Sequence, residues 1–251
     1  MSTAIKYSMT CVSDTGKVRD HNEDNFAFFK ICLPVNHQTS GLMLRRGEGN
    51  AEAAIFDGMG GEAAGELASY SAAQLFPDYI KPDRWNEEEI TKLIEALNTV
   101  VCEAKERGKY NSIGTTVTAL FLQDGIAWIG NLGDSPAYLL RDGSLSLIAE
   151  LHTDAKMLER LGIKRKPALT QCLGTEPEMF SIVPYVGQFE VKSGDRILLC
   201  SDGLTDMVPE EEIAAVLAAE PRTELAAEVL RTKALEGGGI DNITILLCDI
   251  L

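Results

Sequence analysis

Residues 115–151 read TTVTALFLQDGIAWIGNLGDSPAYLLRDGSLSLIAEL. Four apolar runs stand there end to end: TTVTALFL, GIAWIGNL, PAYLLR and SLSLIAEL. Gln123-Asp124-Gly125 and Asp142-Gly143 separate them, and Asp-Gly between apolar runs is a strong short-range hairpin signal. Such a meander predicts antiparallel pairing. Upstream, residues 5–12, 25–32 and 51–56 (AEAAIF) read as strands, and the polar stretch 34–50 reads as a long hairpin connection. Two helices lie between: an Ala-rich one beginning near Gly61 and running to Phe76, and one over residues 87–107. In the second, Ile90, Leu93, Ile94, Leu97, Val100, Val101 and Ala104 recur at helical spacing, with Asn86 as N-cap and Gly108 as the stop. Downstream come a short helix near 154–162, a basic loop KRKP, and strands around 180–191 and 195–200. Helices over 209–219 and 222–236 and a last strand, NITILLCDI, complete the chain.

The order lacks regular βαβα alternation, which argues against a doubly wound parallel sheet. It predicts an α+β fold, a β-sandwich of two antiparallel sheets flanked by helix pairs on both sides in four αββα layers. With neither repeats nor a low-complexity linker, residues 1–251 are expected to form one domain. A chain of this length can bury roughly 70–75% of its unfolded surface.

Charge narrows the functions. Against 23 Lys+Arg stand 38 Asp+Glu, a net charge of −15. Such a surface repels phosphate backbones and anionic membranes, so neither nucleic acid nor membrane is an expected partner. No apolar run approaches the ~18 residues of a membrane span, and MSTAIKYSMTCVSD lacks the pattern of a secretory signal. Cys11, Cys32, Cys102, Cys172, Cys200 and Cys248 form no C-x-x-C pair and read as small buried hydrophobes in a reducing cytoplasm. His21, His37 and His152 are too dispersed for a histidine-rich metal site.

One pattern points to chemistry. Apolar strands run into an acid beside glycine at AAIF-Asp57-Gly58, IGNL-Gly133-Asp134 and ILLCS-Asp202-Gly203, and Glu23-Asp24 and Asp241-Asn242 stand just before strands. Strand ends and starts are neighbours in antiparallel sheets, so all five clusters can meet at one edge of the sandwich. Carboxylates gathered there need cations between them, and oxygen-only ligation suits Mg²⁺ or Mn²⁺. Singly, each Asp-Gly could serve only as a turn. Arg19, near these acids, can grip a phosphate or simply pair with them.

The motifs R-x-x-N-E-D at 19–24, D-G-M-G-G at 57–61, G-T-T at 114–116, G-D-S at 133–135, L-T-x-x-L-G at 169–174, S-D-G-L at 201–204 and G-x-D-N-I-T at 239–244 follow one another. Together they resemble the metal-dependent protein phosphatases of the 2C type in their compact bacterial form, over nearly the whole chain from about Ser13 to Ile250. The resemblance implies hydrolysis of phosphoserine and phosphothreonine at a centre of two Mn²⁺ or Mg²⁺ ions, with a metal-activated bridging water as nucleophile. It implies that Asp57 bridges both metals and that the Gly58 carbonyl binds one. Asp202 and Asp241 hold one metal, Glu23 and Asp24 orient the waters of the other, and Asp134 joins Asp202 at a third, weaker site. Arg19 binds the substrate phosphate. Phosphoproteins, with a bacterial serine/threonine kinase that makes them, are the implied partners of a monomeric cytoplasmic enzyme.

The match thins in two places. Met59 stands where many members have His after D-G, and the family's T-x-D-H-S reads His152-Thr153-Asp154-Ala155-Lys156, in a shortened segment that the resemblance implies is the flap governing substrate choice. Lys164-Arg165-Lys166, the basic cluster of an acidic chain, is a candidate contact for acidic or phosphorylated substrate, or a solvated loop. Other function classes are a catalytically silent binding module, disfavoured by carboxylates that repel one another, and a two-metal nuclease, disfavoured by the charge.

Overall fold

A computed structural model describes residues 5–60, 64–79, 82–178 and 180–251. The first half comprises β1 (Lys6–Asp14), β2 (Asn25–Phe28), β3 (Met43–Glu48), β4 (Ala51–Phe56), β5 (Gly58–Gly60), α1 (Gly65–Leu75) and α2 (Glu87–Gly108). Next come β6 (Ile113–Thr115), β7 (Val117–Gln123), β8 (Ile126–Leu132), β9 (Ala137–Arg141), β10 (Ser144–Leu147) and α3 (Ala155–Leu161). The chain ends with β11 (Tyr185–Glu190), β12 (Arg196–Cys200), α4 (Asp202–Thr205), α5 (Glu210–Ala219), α6 (Thr223–Glu236) and β13 (Ile243–Ile250).

Two antiparallel sheets form the sandwich, ordered β10-β9-β12-β13-β1-β3 and β11-β8-β7-β4-β2, with a small β5-β6 pair beside them. Alternate residues of each strand divide between two layers. Along β13, Leu246, Cys248 and Ile250, together with Met9, Cys11 and Leu199 of the same sheet, meet Ile55, Leu120 and Leu122 of the facing one. Ile243, Ile245 and Leu247 turn the other way, toward Ile213, Leu217, Ala226, Ala227 and Leu230 of α5 and α6. On the second sheet, Phe56, Val117, Ala119 and Phe121 pack on Ala68 and Ala72 of α1 and Leu93, Ile94 and Leu97 of α2. The four-layer αββα arrangement is therefore the observed one. Burial on both faces explains why the strands read as apolar runs rather than alternating patterns.

The two Asp-Gly hairpins form as predicted. Asp124 and Gly125 have φ of 52° and 85°, and Asp142 and Gly143 have 52° and 78°, the left-handed pair that the twist of a two-residue hairpin requires. The meander, however, is split. β7 and β8 lie in one sheet and β9 and β10 in the other, so the chain changes sheets at Gly133-Asp134-Ser135-Pro136.

Other boundaries also differ from the sequence reading. The strand expected over 25–32 stops at Phe28, because Phe29 and Lys30 take φ of 48° and 68° and fold Ile31 back onto Phe28. Within the expected connection 34–50, Met43–Glu48 is an edge strand on β1; its mostly exposed MLRRGE carries no strand-like hydrophobic signal. The strand expected around 180–191 begins at Tyr185, and that over 144–151 ends at Leu147. Asn86 caps α2 by accepting from the Glu89 amide at 3.0 Å. The stop is not Gly108, which is helical, but Lys109, left-handed at φ 56°. The expected helix start near Gly61 lies outside the described residues; the described helix begins at Gly65.

Candidate active site

The sheet register collects the acids. Asp24 precedes β2 and Asp57 follows β4, and Asn25 pairs with Phe56, so the two aspartates flank one end of that ladder. In the facing sheet Cys200 pairs with Ile245, which sets Asp202, just past β12, beside Asp241, just before β13. Asp134 sits at the sheet switch. Both sheets thus deliver carboxylates to the same end of the sandwich. Asp57 feels the charges of Asp24, Asp202, Asp134 and Asp241 together.

Hydrogen bonds from the other motif residues hold these backbones. The Asp57 carbonyl accepts from the Thr116 amide at 2.9 Å and from Thr115 Oγ1 at 2.9 Å, and its amide donates to Thr116 Oγ1 at 3.0 Å. Thr116 Oγ1 also bonds Ser135 Oγ at 2.8 Å, which links G-T-T to G-D-S. Asn242 accepts from the Glu23 amide at 2.8 Å and donates to the carbonyls of Thr15 and His21. Asn22 accepts from the Asp24 amide and donates to Ser13 Oγ. His152 Nδ1 accepts from the Gly133 amide at 3.1 Å, steadying the loop before Asp134. Sequence reasoning missed these supports, because all but the short Asn22–Asp24 and Asn22–Ser13 bonds join residues well separated in the chain.

Two glycines are required by close approach. A Cβ on Gly58 would lie 2.3 Å from the Glu23 carbonyl oxygen, and one on Gly203 would lie 2.0 Å from that of Asn242. Their lack of a side chain serves the packing of the acid-bearing loops on one another.

The electrostatics are strained. Burial pushes the Asp57 carboxyl well above the usual range, and the neighbouring aspartates push it further. Burial raises Asp24 to about 7 against the hydrogen bond from Ser201 Oγ at 2.7 Å. Asp134 is raised to about 6, by burial and by Asp202. Asp202 is raised by burial, an effect the Lys166 ammonium opposes. Buried acids that repel one another are the signature of a site built for cations.

Arg19 reaches this cluster through a 2.7 Å bond to Asp241 Oδ2. The Glu23 carboxylate turns toward the start of α1: it faces His21 at 3.7 Å, and burial followed by the charge of Glu66 raises it. The basic loop comes down from the flap side. Lys166 Nζ lies 2.8 Å from Asp202 Oδ2 and 2.5 Å from Asp206 Oδ2, and Arg165 pairs with Asp154. Asp154 also accepts from the Ala168 amide at 2.8 Å, so it staples the flap rather than joining the carboxylate cluster. Asp206 was missed, although its spacing of four from Asp202 signals one turn of helix. A cavity of about 540 Å³ beside the flap is lined by His152, Thr153, Lys156 and Thr170.

An αββα sandwich with a carboxylate cluster at one end of both sheets is the architecture of a metal-dependent phosphatase. Residues 42–236 match the sequence model of protein phosphatase 2C. The chain is 34% identical to a serine/threonine phosphatase stp of Listeria monocytogenes, over 94% of this chain and 93% of that one. The crystal structure of the Mycobacterium tuberculosis serine/threonine phosphatase PstP/Ppp superposes with a TM-score of 0.78 at 30% identity, covering 98% of this chain and 99% of that one. A structure of the PstP catalytic domain in complex with two manganese ions superposes equally well, at the same identity and coverage. This chain belongs to the protein phosphatase 2C family.

Proposed function

We propose that this chain is a metal-dependent protein serine/threonine phosphatase, acting on phosphoserine and phosphothreonine monoesters. The observation that carries the reading is the desolvated, mutually repelling set Asp24, Asp57, Asp134 and Asp202, with the partly exposed Asp241 beside it, at one end of the sandwich. Its donor set fits hard divalent cations, offering carboxylate oxygens without sulfur or imidazole. Asp57, with the Gly58 carbonyl, and Asp202 and Asp241 would hold two Mn²⁺ or Mg²⁺ ions. Glu23 and Asp24 would orient water, and Asp134 with Asp202 would hold a third ion. When bound, such ions supply Lewis-acid activation of a water and neutralise the phosphate.

The remaining steps belong to the chain's own residues. Arg19, already at the cluster, would bind the phosphate through its forked donors. The T-T-S network would keep Asp57 aimed while charge shifts. A thiolate route is disfavoured, because burial raises Cys11, Cys200 and Cys248. Substrates would be phosphoproteins made by a bacterial serine/threonine kinase, and the chain would act as a cytoplasmic monomer. Hydrolysis of a phosphothreonine peptide is expected to require Mn²⁺ or Mg²⁺ and to stop with chelator. Chelator-resistant turnover, or none with metal present, would overturn the reading.

Lys166 bears on the same centre. Its ammonium competes with any cation for Asp202, as an exposed pair worth about 0.2–1 kcal/mol. Lys166→Ala is therefore expected to tighten Mn²⁺ binding by about 1.4–5-fold in calorimetric titration. Unchanged affinity would mean that the lysine swings clear before metal enters.

A further inference from the structure

Among the described residues, one group has its donor atoms already gathered at metal-site spacing: His21, Glu23 and Glu66, whose ligating atoms all lie within 4.8 Å of one another. His21 and Glu23 sit on the 19–24 loop, and Glu66 stands in the first turn of α1. His21 Nε2 is 3.7 Å from Glu23 Oε1 and 4.0 Å from Glu66 Oε2. Both separations are too long for hydrogen bonds. They match two ligands that each lie ~2.1 Å from a common cation, which stand roughly 3.4–4.2 Å apart depending on the angle.

A second observation points into the same space. Glu66 is only 8% exposed, and its buried Oε2 has no hydrogen-bond partner. A buried carboxylate oxygen without a partner costs free energy unless something positive meets it. His21 is half-exposed, so the group opens to solvent on one side. One imidazole nitrogen, two carboxylates and an open side make a three-ligand site with a free coordination position.

We propose that His21, Glu23 and Glu66 form a further binding site, sharing Glu23 with the aspartate centre, for the borderline cation Zn²⁺, which pins the 19–24 loop to the start of α1. The site differs in chemistry from the aspartate cluster. An imidazole ligand favours Zn²⁺ over Mg²⁺, and the order of divalent affinities favours Zn²⁺ over Mn²⁺. The loop that it would hold carries both Arg19 and Asp24, so occupancy would fix the phosphate-binding arginine relative to the helix. The proposal rests on the phosphatase reading only through Glu23, which both use.

The test is metal binding on the intact protein, with anomalous diffraction from crystals soaked in Zn²⁺ or Mn²⁺ and with equilibrium dialysis. A peak between His21 Nε2 and the carboxylates of Glu23 and Glu66 is expected, in addition to peaks at Asp57 and Asp202. His21→Gln and Glu66→Gln are each expected to weaken one Zn²⁺ equivalent by roughly tenfold or more. The peak is expected to persist in Asp202→Asn. Peaks at the aspartates alone, or unchanged Zn²⁺ binding in both variants, would overturn this inference and leave the phosphatase reading standing. A peak at the histidine cluster with none at the aspartates would do the reverse. His21→Gln changes a half-exposed side chain, which keeps the test open if Glu66→Gln folds poorly.

Discussion

Asp57→Asn is expected to lower kcat/KM for a phosphothreonine peptide by about a thousandfold or more, while raising the melting temperature of the metal-free protein. The substitution keeps shape and removes one charge. A thousandfold loss corresponds to about 4 kcal/mol of transition-state stabilisation, within reach for a residue proposed to hold both cations. The stability change runs the other way because Asp57 is buried among Asp24, Asp134, Asp202 and Asp241, all of like sign. Deleting the most crowded charge relieves repulsion that only cations otherwise relieve. Functional sites commonly hold such destabilising residues.

Asp249 supplies the contrast. It too is a buried acid, but it bonds Arg196 Nε at 2.8 Å and Nη2 at 2.7 Å, and it accepts from Thr223 Oγ1 at 2.9 Å. The same Asn substitution there leaves Arg196 short of its partner and costs stability. Thermal melts of both variants with chelator, beside peptide kinetics with Mn²⁺, check the pair of signs. If Asp57→Asn melts lower than the parent without metal, the aspartates are not the strained element described above.

Much of this was legible in the chain. The Asp-Gly hairpins were readable because two successive left-handed residues demand that chemistry. Asp24, Asp57, Asp134, Asp202 and Asp241 stood out because each interrupts a strand boundary, and strand ends gather in an antiparallel sandwich. The sheet switch at Gly133–Pro136 was not legible, since pairing partners of β9 lie some 60 residues downstream in β12. β3 was hidden because an exposed edge strand with two arginines has no apolar period. The direction of the Glu23 carboxylate depends on α1, whose Glu66 is 43 positions away in the sequence. Similarly, the basic cluster looked free to meet substrate; Asp154, Asp202 and Asp206 claim Arg165 and Lys166 only in three dimensions.

Without metal, the protein is expected to become more stable as pH falls from about 8 to about 5, and added Mn²⁺ is expected to flatten or reverse that trend. Asp24 is raised to about 7 and Asp134 to about 6, both by burial first and by neighbouring charge. A carboxyl raised in the folded state binds more protons there than in the unfolded chain at these pH values. Its penalty is fully present above the raised value. It is relieved as pH falls through that value, and it is absent below the unfolded value near 4. For Asp134 alone, a rise from 3.8 to about 6 corresponds to about 3 kcal/mol. For a chain of this size that is worth roughly 6–12 °C in melting temperature. Mn²⁺ at a hundredfold over its dissociation constant would add about 2.7 kcal/mol, most of it at high pH, where protons do not compete for the carboxylates. The two melting curves should therefore separate at pH 8 and converge toward pH 5. Below that, groups of the opposite kind take over. Asp154, held down by the Ala168 amide and then by Arg165, loses its bonds on protonation, and the flap it staples loosens. A metal-free melting temperature that stays flat or climbs between pH 5 and 8 would show that Asp24 and Asp134 are not desolvated as the buried cluster requires.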